Sequence, residues 1–512
     1  MSDANRTALA YIKETSFNEA APVFAIGVLT ASGNPANLDT LTLNSRVYTF
    51  KTTLAVADDI KIGADRLETL QNICAAVNGW AGAGSRYVAG SPVKNADYYA
   101  TLNNDKASIT LRGLDADKVM VVTEASTVLS YADTFVGPAV LAGIFTSAPA
   151  LFPFNSSSLI HAKETVATEE IRQDRSVADL IEVGVGANGQ IETEFHMRNY
   201  DPFIRAALFS GNAVGATTAA LANCTISTSG LFTTTTAMDA NTRGARLVKI
   251  AGFTGANVAQ NGIRQVRFLS TTTFQIIGHT GGSATSESTV TLTYAYARNG
   301  VTVESFAIAQ YMSLVTADPD RVLTFHGMCV NQWSLTAEAR RKIMQSFDFM
   351  GHSAKSWPNT PFDGLPTAAT ATPVITSSSN IGVIRIDLLD AVSPIQNFRM
   401  TINNNLRGRY VLSDKGTLVP GTGNADITGS IDAYFGDLTT YEMFQNHADK
   451  ELLFYLFDSG GKAMAIHLPK IKFAEGSPRI PGVNTDIIQN LSFRAVKDDT
   501  AGYQVQLDFL DP

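Results

Sequence analysis

Two distant stretches of this chain follow one plan, and that repeat constrains the fold more than any single motif. In the first, an alternating strand begins near Leu159. A polar excursion leads to LIEVGVGANGQIETEF, and a helix is expected from Asp201. In the second, a strand begins at Phe398. The segment NNNLRGRYVLSDKGT then leads to LVPGTGNADITGSIDAYF and on to GDLTTYEMFQNH. Leu159 to Leu180 is 21 residues and Phe398 to Leu418 is 20; Leu180 to Asp201 is 21 and Leu418 to Asp437 is 19. The order is strand, loop, Gly-rich turn, strand, helix both times. Side-chain identity is low. Asp201 is placed to cap the first helix, with Pro202 at its first position. Thr439 and Glu442 have capping-box spacing in the second, and Tyr441 and Phe444 supply its apolar face. Two copies of one fold make a ring of few subunits easy to close.

The rest of the chain has the same texture. Thr, Ser, Gly and Asn are frequent, and short runs alternate apolar with polar, which favours strands over helices. The fold class expected is mainly β: two β-sandwich domains, each with a flanking α-helix, plus inserted small α+β and all-β modules. The first sandwich is assigned to residues 1–34, 136–211 and 301–351, and the second to 381–512. Residues 35–135 read as an α+β module. LDTLTLNSRVYTFKTTL is its hairpin, turning at Asn44-Ser45, and Asp65, Glu68 and Gly79 punctuate its helix. Residues 212–300 read as an all-β module, and the Pro/Ser/Thr/Ala-rich 352–380 as a linker or arm. In the last third, Phe398, Met400 and Ile402 alternate onto one face, and DSGGK marks a turn between two buried strands.

With 39 basic and 47 acidic residues the net charge is −8, which does not read as a grip on nucleic acid. Cys74, Cys224 and Cys329 are far apart with no CxxC, and are read as free thiols of a reducing compartment. No apolar signal core opens the sequence, and no run reaches the roughly 18 apolar residues of a membrane span. Synthesis in a cytoplasm is expected.

Catalytic and cofactor patterns are missing. HExxH, GxSxG and GxxxxGK[ST] do not occur. GVGANG at Gly184–Gly189 is followed by a strand rather than a helix, so it reads as a β-turn and not a phosphate cradle. The acids of DAD (Asp115–Asp117) and DPDR (Asp318–Arg321) read as ordinary turns, and the seven histidines are scattered. No metal, cofactor or enzymatic activity is expected. The aromatics Tyr48, Phe50, Trp80 and Tyr87 of the α+β module could line a carbohydrate site, but a hairpin and helix must bury some of them.

Several blocks resemble the tail tube proteins of long-tailed bacteriophages. They are ANRTALAYIKETSF, SSSLIHAKETVATEEIRQDRSVADLIEVGVGANGQIETEF with YDPFIRAALFSG, FHGMCVNQWSLTAEARRKIMQSFDFMG, and NFRMTINNNLRGRY with DITGSIDAYF. The likeness spans residues 1–30 and 138–512; the module at 35–135 resembles an add-on of phage tail-associated proteins. The resemblance implies a structural virion protein. Its subunits would form rings whose sheets join into a closed β-barrel, and the rings would stack into a channel for DNA. Some relatives are hexamers; others carry two tube folds per chain and form trimers, which the repeat favours. Implied partners are further copies of the chain, a tape measure protein, a tail terminator and baseplate or distal tail proteins. The place is the virion tail.

Two sets of residues then acquire roles. The charged excursion with Glu169, Glu170, Arg172, Asp174, Arg175 and Asp179 is expected to reach the neighbouring ring, its mixed charges fixing register. Strand alternation puts Glu192 and Glu194 opposite Ile191, Thr193 and Phe195; Asp426 and Asp432 occupy a comparable strand, set at different parities around a bulge. Some of these carboxylates are expected to face the lumen, where negative charge would keep DNA from sticking. The competing class is a secreted or surface-displayed β-rich adhesin, against which the missing signal core argues.

Overall fold

The computed structural model describes residues 7–14, 17, 26–90, 93–103, 105–113, 121–135, 149–170, 173–174, 176–211, 213–279, 286–312, 322–356, 368–369, 372–386, 389–390, 394–412, 414–436, 438–480 and 482–512. The chain is mainly β and divides into two compact units, one of 19–149 with 357–366 and one of 1–18, 150–356 and 367–512.

In the smaller unit, Ile26–Ala31 pairs with Ser108–Gly113 and Leu129–Phe135, and Tyr98–Leu102 extends that sheet. A second sheet runs Asp59–Lys61, Arg46–Lys51, Thr40–Leu43, Val122–Ala125. The Asn44-Ser45 hairpin forms as expected, with Asn44 at φ 54°. The helix Arg66–Asn78 starts where Asp65 Oδ1 accepts from Glu68 N–H at 2.9 Å, and stops at Gly79, φ 65°. Glu68 reaches past the cap and accepts from Ala64 N–H at 2.6 Å. Leu70, Ile73 and Val77 of the helix are buried with Leu41, Phe50 and Ile109 of the two sheets. The strand Ile26–Ala31, assigned from sequence to the first sandwich, belongs here because both its edges are bonded within this unit.

The larger unit contains the repeat. Four antiparallel strands of its first half pair in the order Ile160–Ala167, Leu180–Glu194, Met344–Gly351, Val322–Glu338. Four strands of the second half pair in the same order: Ile395–Asn403, Asp426–Tyr434, Ile488–Ala495, Ala463–Glu475. A second layer repeats too. Ala8–Lys13 pairs with Ser305–Tyr311, which pairs with Val322–Glu338; Ile381–Ile386 pairs with Lys450–Phe457, which pairs with Ala463–Glu475.

Even the irregularities recur. Register slips between Phe306 and Ile308 and between Val330 and Gln332; the equivalent slips fall between Lys450 and Leu452 and between Phe473 and Glu475. A bulge bends a strand. Here it lets one long strand serve both layers: Cys329 pairs with Ser305 on one side and Met350 on the other.

The two four-strand halves are hydrogen-bonded to each other. Gln332–Glu338 pairs antiparallel with Asn397–Asn403, from Gln332 opposite Asn403 to Glu338 opposite Asn397. The result is one eight-strand sheet.

Its inner face packs a helix in each half. Asp201–Ala207 places Phe203 within 4.9 Å of the Phe306 ring and 5.6 Å of Phe347, in the core that also holds fully buried Trp333. Asp201 is the first helical residue rather than the cap; Tyr200 holds the cap position without a side-chain bond, and Asp201 instead meets Arg198 at 2.7 Å. Thr439–Gln445 likewise starts at Leu438, in αR, with no side-chain cap, so the capping box is not made. Thr440 and Met443, not Tyr441, are its buried positions, and Phe444 is partly buried against the core. Asp437 lies outside the described residues.

The inserted β segment keeps its own core, with Phe232 stacked on Phe274 at 4.2 Å. It is not a separate unit. Its strand Thr291–Arg298 pairs with Gln506–Leu510, extending the outer layer of the second half. Buried Asp508 accepts from the backbone N–H of Arg246 and Leu247 at 2.5 and 2.9 Å, fastening the insert. The stretch 352–380 is not all linker: Ser353–Ser356 pairs with Leu323–His326, and Val374 and Thr376 bridge to His196 and Lys342.

Candidate assembly surfaces

The outer face of the eight-strand sheet is polar. Glu192 and Glu194 stand on it while Ile191, Thr193 and Phe195 are buried, as strand alternation requires. Asp426 and Asp432 share that face. They are six residues apart in a ladder that runs unbroken from Asp426 opposite Asn403 to Asp432 opposite Asn397, so no bulge separates them and the expected difference in parity is wrong.

The ladder adds residues that sequence reading missed. Gln190 pairs with Asp348 and Thr336 with Arg399, and Arg494 pairs with Thr428, which brings Asp348, Glu338, Arg399 and Arg494 to the same face. Their signal was the segment IMQSFDFMG (343–351), whose buried positions 345, 347, 349 and 351 match 489, 491, 493 and 495 of IIQNLSFRA (487–495), Gln345 and Gln489 included.

Some of these acids are neutralised locally. Glu194 binds Lys342 at 2.5 Å, Glu338 binds Arg399 at 3.0 Å, and Asp426 binds Arg494 at 2.7 Å. Others meet only neutral donors in the described residues. Glu192 accepts from Ser156 Oγ at 3.0 Å, and Asp432 from Asn397 Nδ2 at 3.1 Å and Asn490 Nδ2 at 2.5 Å. Burial raises the Asp348 carboxyl above its ordinary value. The face is therefore acidic, with its arginines already engaged by carboxylates.

The charged excursion is the tip of a long hairpin formed by Ile160–Ala167 and Leu180–Glu194. Thr168 N–H donates to Asp179 O at 3.0 Å, and Asp179 N–H to Thr168 Oγ1 at 3.2 Å, closing the tip. Glu169, Glu170, Asp174 and Asp179 are exposed there; Arg172 and Arg175 lie outside the described residues. Apolar side chains accompany the charges, Val177 at 69% and Leu180 at 63% exposure. GVGANG is strand within this hairpin, not a turn. Gly189, at φ 141°, sits where an added Cβ would lie 2.4 Å from the Ser158 carbonyl oxygen, so the glycine permits close strand approach.

The equivalent excursion of the second half, 404–425, folds back instead. Val185 N–H donates to Lys415 O at 2.9 Å, and Glu182 takes both Lys415 and Lys163 at 3.1 Å. Those two ammonium groups, Lys415 first, lower the Glu182 pKa. Leu412 remains 96% exposed.

No cluster of metal-ligating side chains occurs among the described residues. The three cysteines are buried and form no disulfide, and burial raises the Cys74 thiol to about 12. Tyr48, Phe50 and Tyr87 are core, while Trp80 is exposed beside Tyr99 at 6.2 Å. DAD and DPDR lie outside the described residues. Among the described residues no helix is long and apolar enough to cross a membrane.

A search of curated proteins finds no match. The family model described as phage tail tube protein matches residues 118–495, which is 378 of the 512 residues and spans both halves of the eight-strand sheet, and the chain belongs to that family.

Proposed function

We propose that this structural tail protein is the major tube subunit: three chains close into a ring, rings stack, and DNA passes along the channel. The observation that carries the reading is the in-line junction of two equivalent four-strand halves. Three chains supply six halves, the same sheet at each sixth of the circumference, and closure removes the exposed strand edges that otherwise invite aggregation.

The acidic outer face of the sheet is the lumen wall, with Glu192, Glu194, Asp426 and Asp432 facing the channel. Like charge keeps DNA mobile there. The hairpin tip with Glu169, Glu170, Arg172, Asp174, Arg175 and Asp179 reaches the adjacent ring, where exposed Val177 and Leu180 add apolar contact. Tape measure, terminator and distal tail proteins are the partners at the two ends and inside. The unit 19–149 and the insert 212–300 decorate the tube.

Cryo-electron microscopy of tubes tests this through rotational symmetry. Threefold stacked rings with the acidic face inward support the reading. Six chains per ring would overturn the trimer, a basic lumen would overturn the lumen assignment, and chains that never add to a tail initiation complex would overturn the tube function.

A further inference from the structure

The ring needs a seam between chains, and the fold contains a template for it. Within the chain, the late part of Val322–Glu338 pairs with Ile395–Asn403. The matching edges at the two ends of the eight-strand sheet have no backbone partner among the described residues: the late part of Ala463–Glu475 with the segment after it, and the outer edge of Ile160–Ala167.

The shared ladders fix the equivalences. Val330 opposite Phe349 matches Phe473 opposite Phe493, and after the common bulge Gln332 matches Glu475. Ile191 opposite Ser157 matches Ile431 opposite Phe398. Carrying the internal register over gives the seam.

We propose that Ala474–Ile480 of one chain pairs antiparallel with Ser157–Lys163 of the next copy, Glu475 facing Ala162 and Ser477 facing Ile160, and that this seam is built weaker than the internal junction it copies. It rests on the ring reading above and specifies where and how the ring closes.

Backbone direction agrees on both sides. Asn331 O accepts from Asn404 N–H at 2.8 Å and Ala339 N–H donates to Gln396 O at 2.9 Å, so odd-numbered residues beyond the bulge point across the internal junction. Their equivalents are Gly476, Pro478 and Ile480. On the receiving edge Ser158 N–H is turned inward, to Gln190 O at 2.9 Å, which leaves Leu159 and His161 turned outward.

The weakness is chemical. Pro478 stands where Leu335 crosses the internal junction and has no N–H to give. Gly476 stands where Trp333 does, and its carbonyl already accepts from Gln489 Nε2 at 2.5 Å. Two ladder bonds of the template are therefore lost or contested. A proline on a free edge also discourages premature pairing, so the chain stays apart until a growing tube presents a docked partner.

The test is a disulfide across a pair that faces without sharing ladder bonds, where side chains approach most closely. Ser477→Cys with Ile160→Cys should give covalent three-chain species in assembled tubes and none in free chains. Ser334→Cys with Thr401→Cys is the internal control, since those hydroxyls lie 3.1 Å apart. Hydrogen exchange on the unmodified chain is the second readout: 157–163 and 474–480 should gain protection on assembly. On denaturant titration they should lose it before 332–338 does. Tubes that form with the control cross-linked, but with no 160–477 bond and no new protection, overturn the seam and leave the tube reading intact. Equal resistance of seam and internal junction overturns the weakness. Failure of the unmodified chain to form rings removes the reading beneath.

Discussion

Replacing His467 by Gln should reverse part of the protein's response to acid. His467 is 1% exposed; its Nδ1 accepts from the Tyr503 hydroxyl at 2.9 Å, and its Nε2–H donates to Glu451 at 2.5 Å. Burial pushes its pKa down to about 4 from 6.5, with Arg246 and Arg298 adding to the effect and Glu451 opposing it. Unfolded His467 therefore binds its proton first. Stability from this group is full above pH 6.5 and is lost as the pH falls towards 4, by about 3 kcal/mol at ~1.4 kcal/mol per unit. Asp508, in the same layer, does the opposite. Burial raises it from 3.8 to about 6, against its bonds from Gln506 and the Leu247 and Arg246 N–H groups. Its folded form binds the proton first, so stability is gained as the pH falls from 6 towards 3.8, again by about 3 kcal/mol. The two nearly cancel in the native chain. His467→Gln keeps an acceptor and a donor but cannot titrate, so the variant should gain on the native protein between pH 6.5 and 4.5. Asp508→Asn should lose ground over the same range. Urea unfolding at pH 7, 6, 5 and 4.5, read as variant minus native, removes the contribution of the surface carboxylates. Two variants that track the native pH slope to within ~0.5 kcal/mol would refute the linkage.

Trp333→Ala should lower stability by about 3–5 kcal/mol, because it empties the centre of the first half and strands the Gln345 carbonyl that now accepts its indole N–H at 3.1 Å; thermal or urea unfolding measures this. Deleting 172–178 should leave soluble rings that do not stack, seen by electron microscopy; normal tubes would contradict the role given to the hairpin tip. Glu192→Lys with Asp432→Lys should make tubes retain DNA at low salt and release it as salt rises, measured by co-sedimentation, whereas the native tube retains none. A change with no effect on DNA retention would place that face away from the channel.

What the sequence disclosed depended on whether burial or backbone geometry carried the information. The alternation of Phe398, Met400 and Ile402 was readable because all three are core. So was GQIETEF against GSIDAYF, where Ile191 and Ile431 face inward and Glu192 and Asp432 outward in equivalent ladders. Helix starts were misread where tertiary packing replaced a cap: Asp201 spends its carboxylate on Arg198, and Leu438 enters its helix without a side-chain bond. The parity of Asp426 and Asp432 was misjudged because a bulge was assumed between them; the slip in that pairing falls between Ile395 and Asn397, just beyond Asp432. The strand Ile26–Ala31 was assigned to the first sandwich, since nothing local in the sequence points to partners more than 75 residues away.

The second half of the repeat was obscured for a related reason. Equivalent sites are held to a shape, not to a residue. In the first half Trp333 fills the space beside Gln345 and binds it. In the second, Gly476 has no side chain and Phe444 closes over it, 2.8 Å from where a Cβ would sit, and the equivalent Gln489 reaches the Gly476 carbonyl and takes the Thr440 hydroxyl of the helix at 2.6 Å. The second solution pairs both ends of the buried amide, whereas in the first the Gln345 carbonyl is paired and its Nε2 has no partner among the described residues, which is costly. The difference falls where each half meets its neighbour. Trp333 backs a junction inside one chain that never has to open. In the seam proposed above, Gly476 and Pro478 back an edge that would stay unpaired in the free subunit and pair in the tube. A chain that joins two halves covalently can strengthen one junction and relax the other, and the residues at these two equivalent sites differ in that direction.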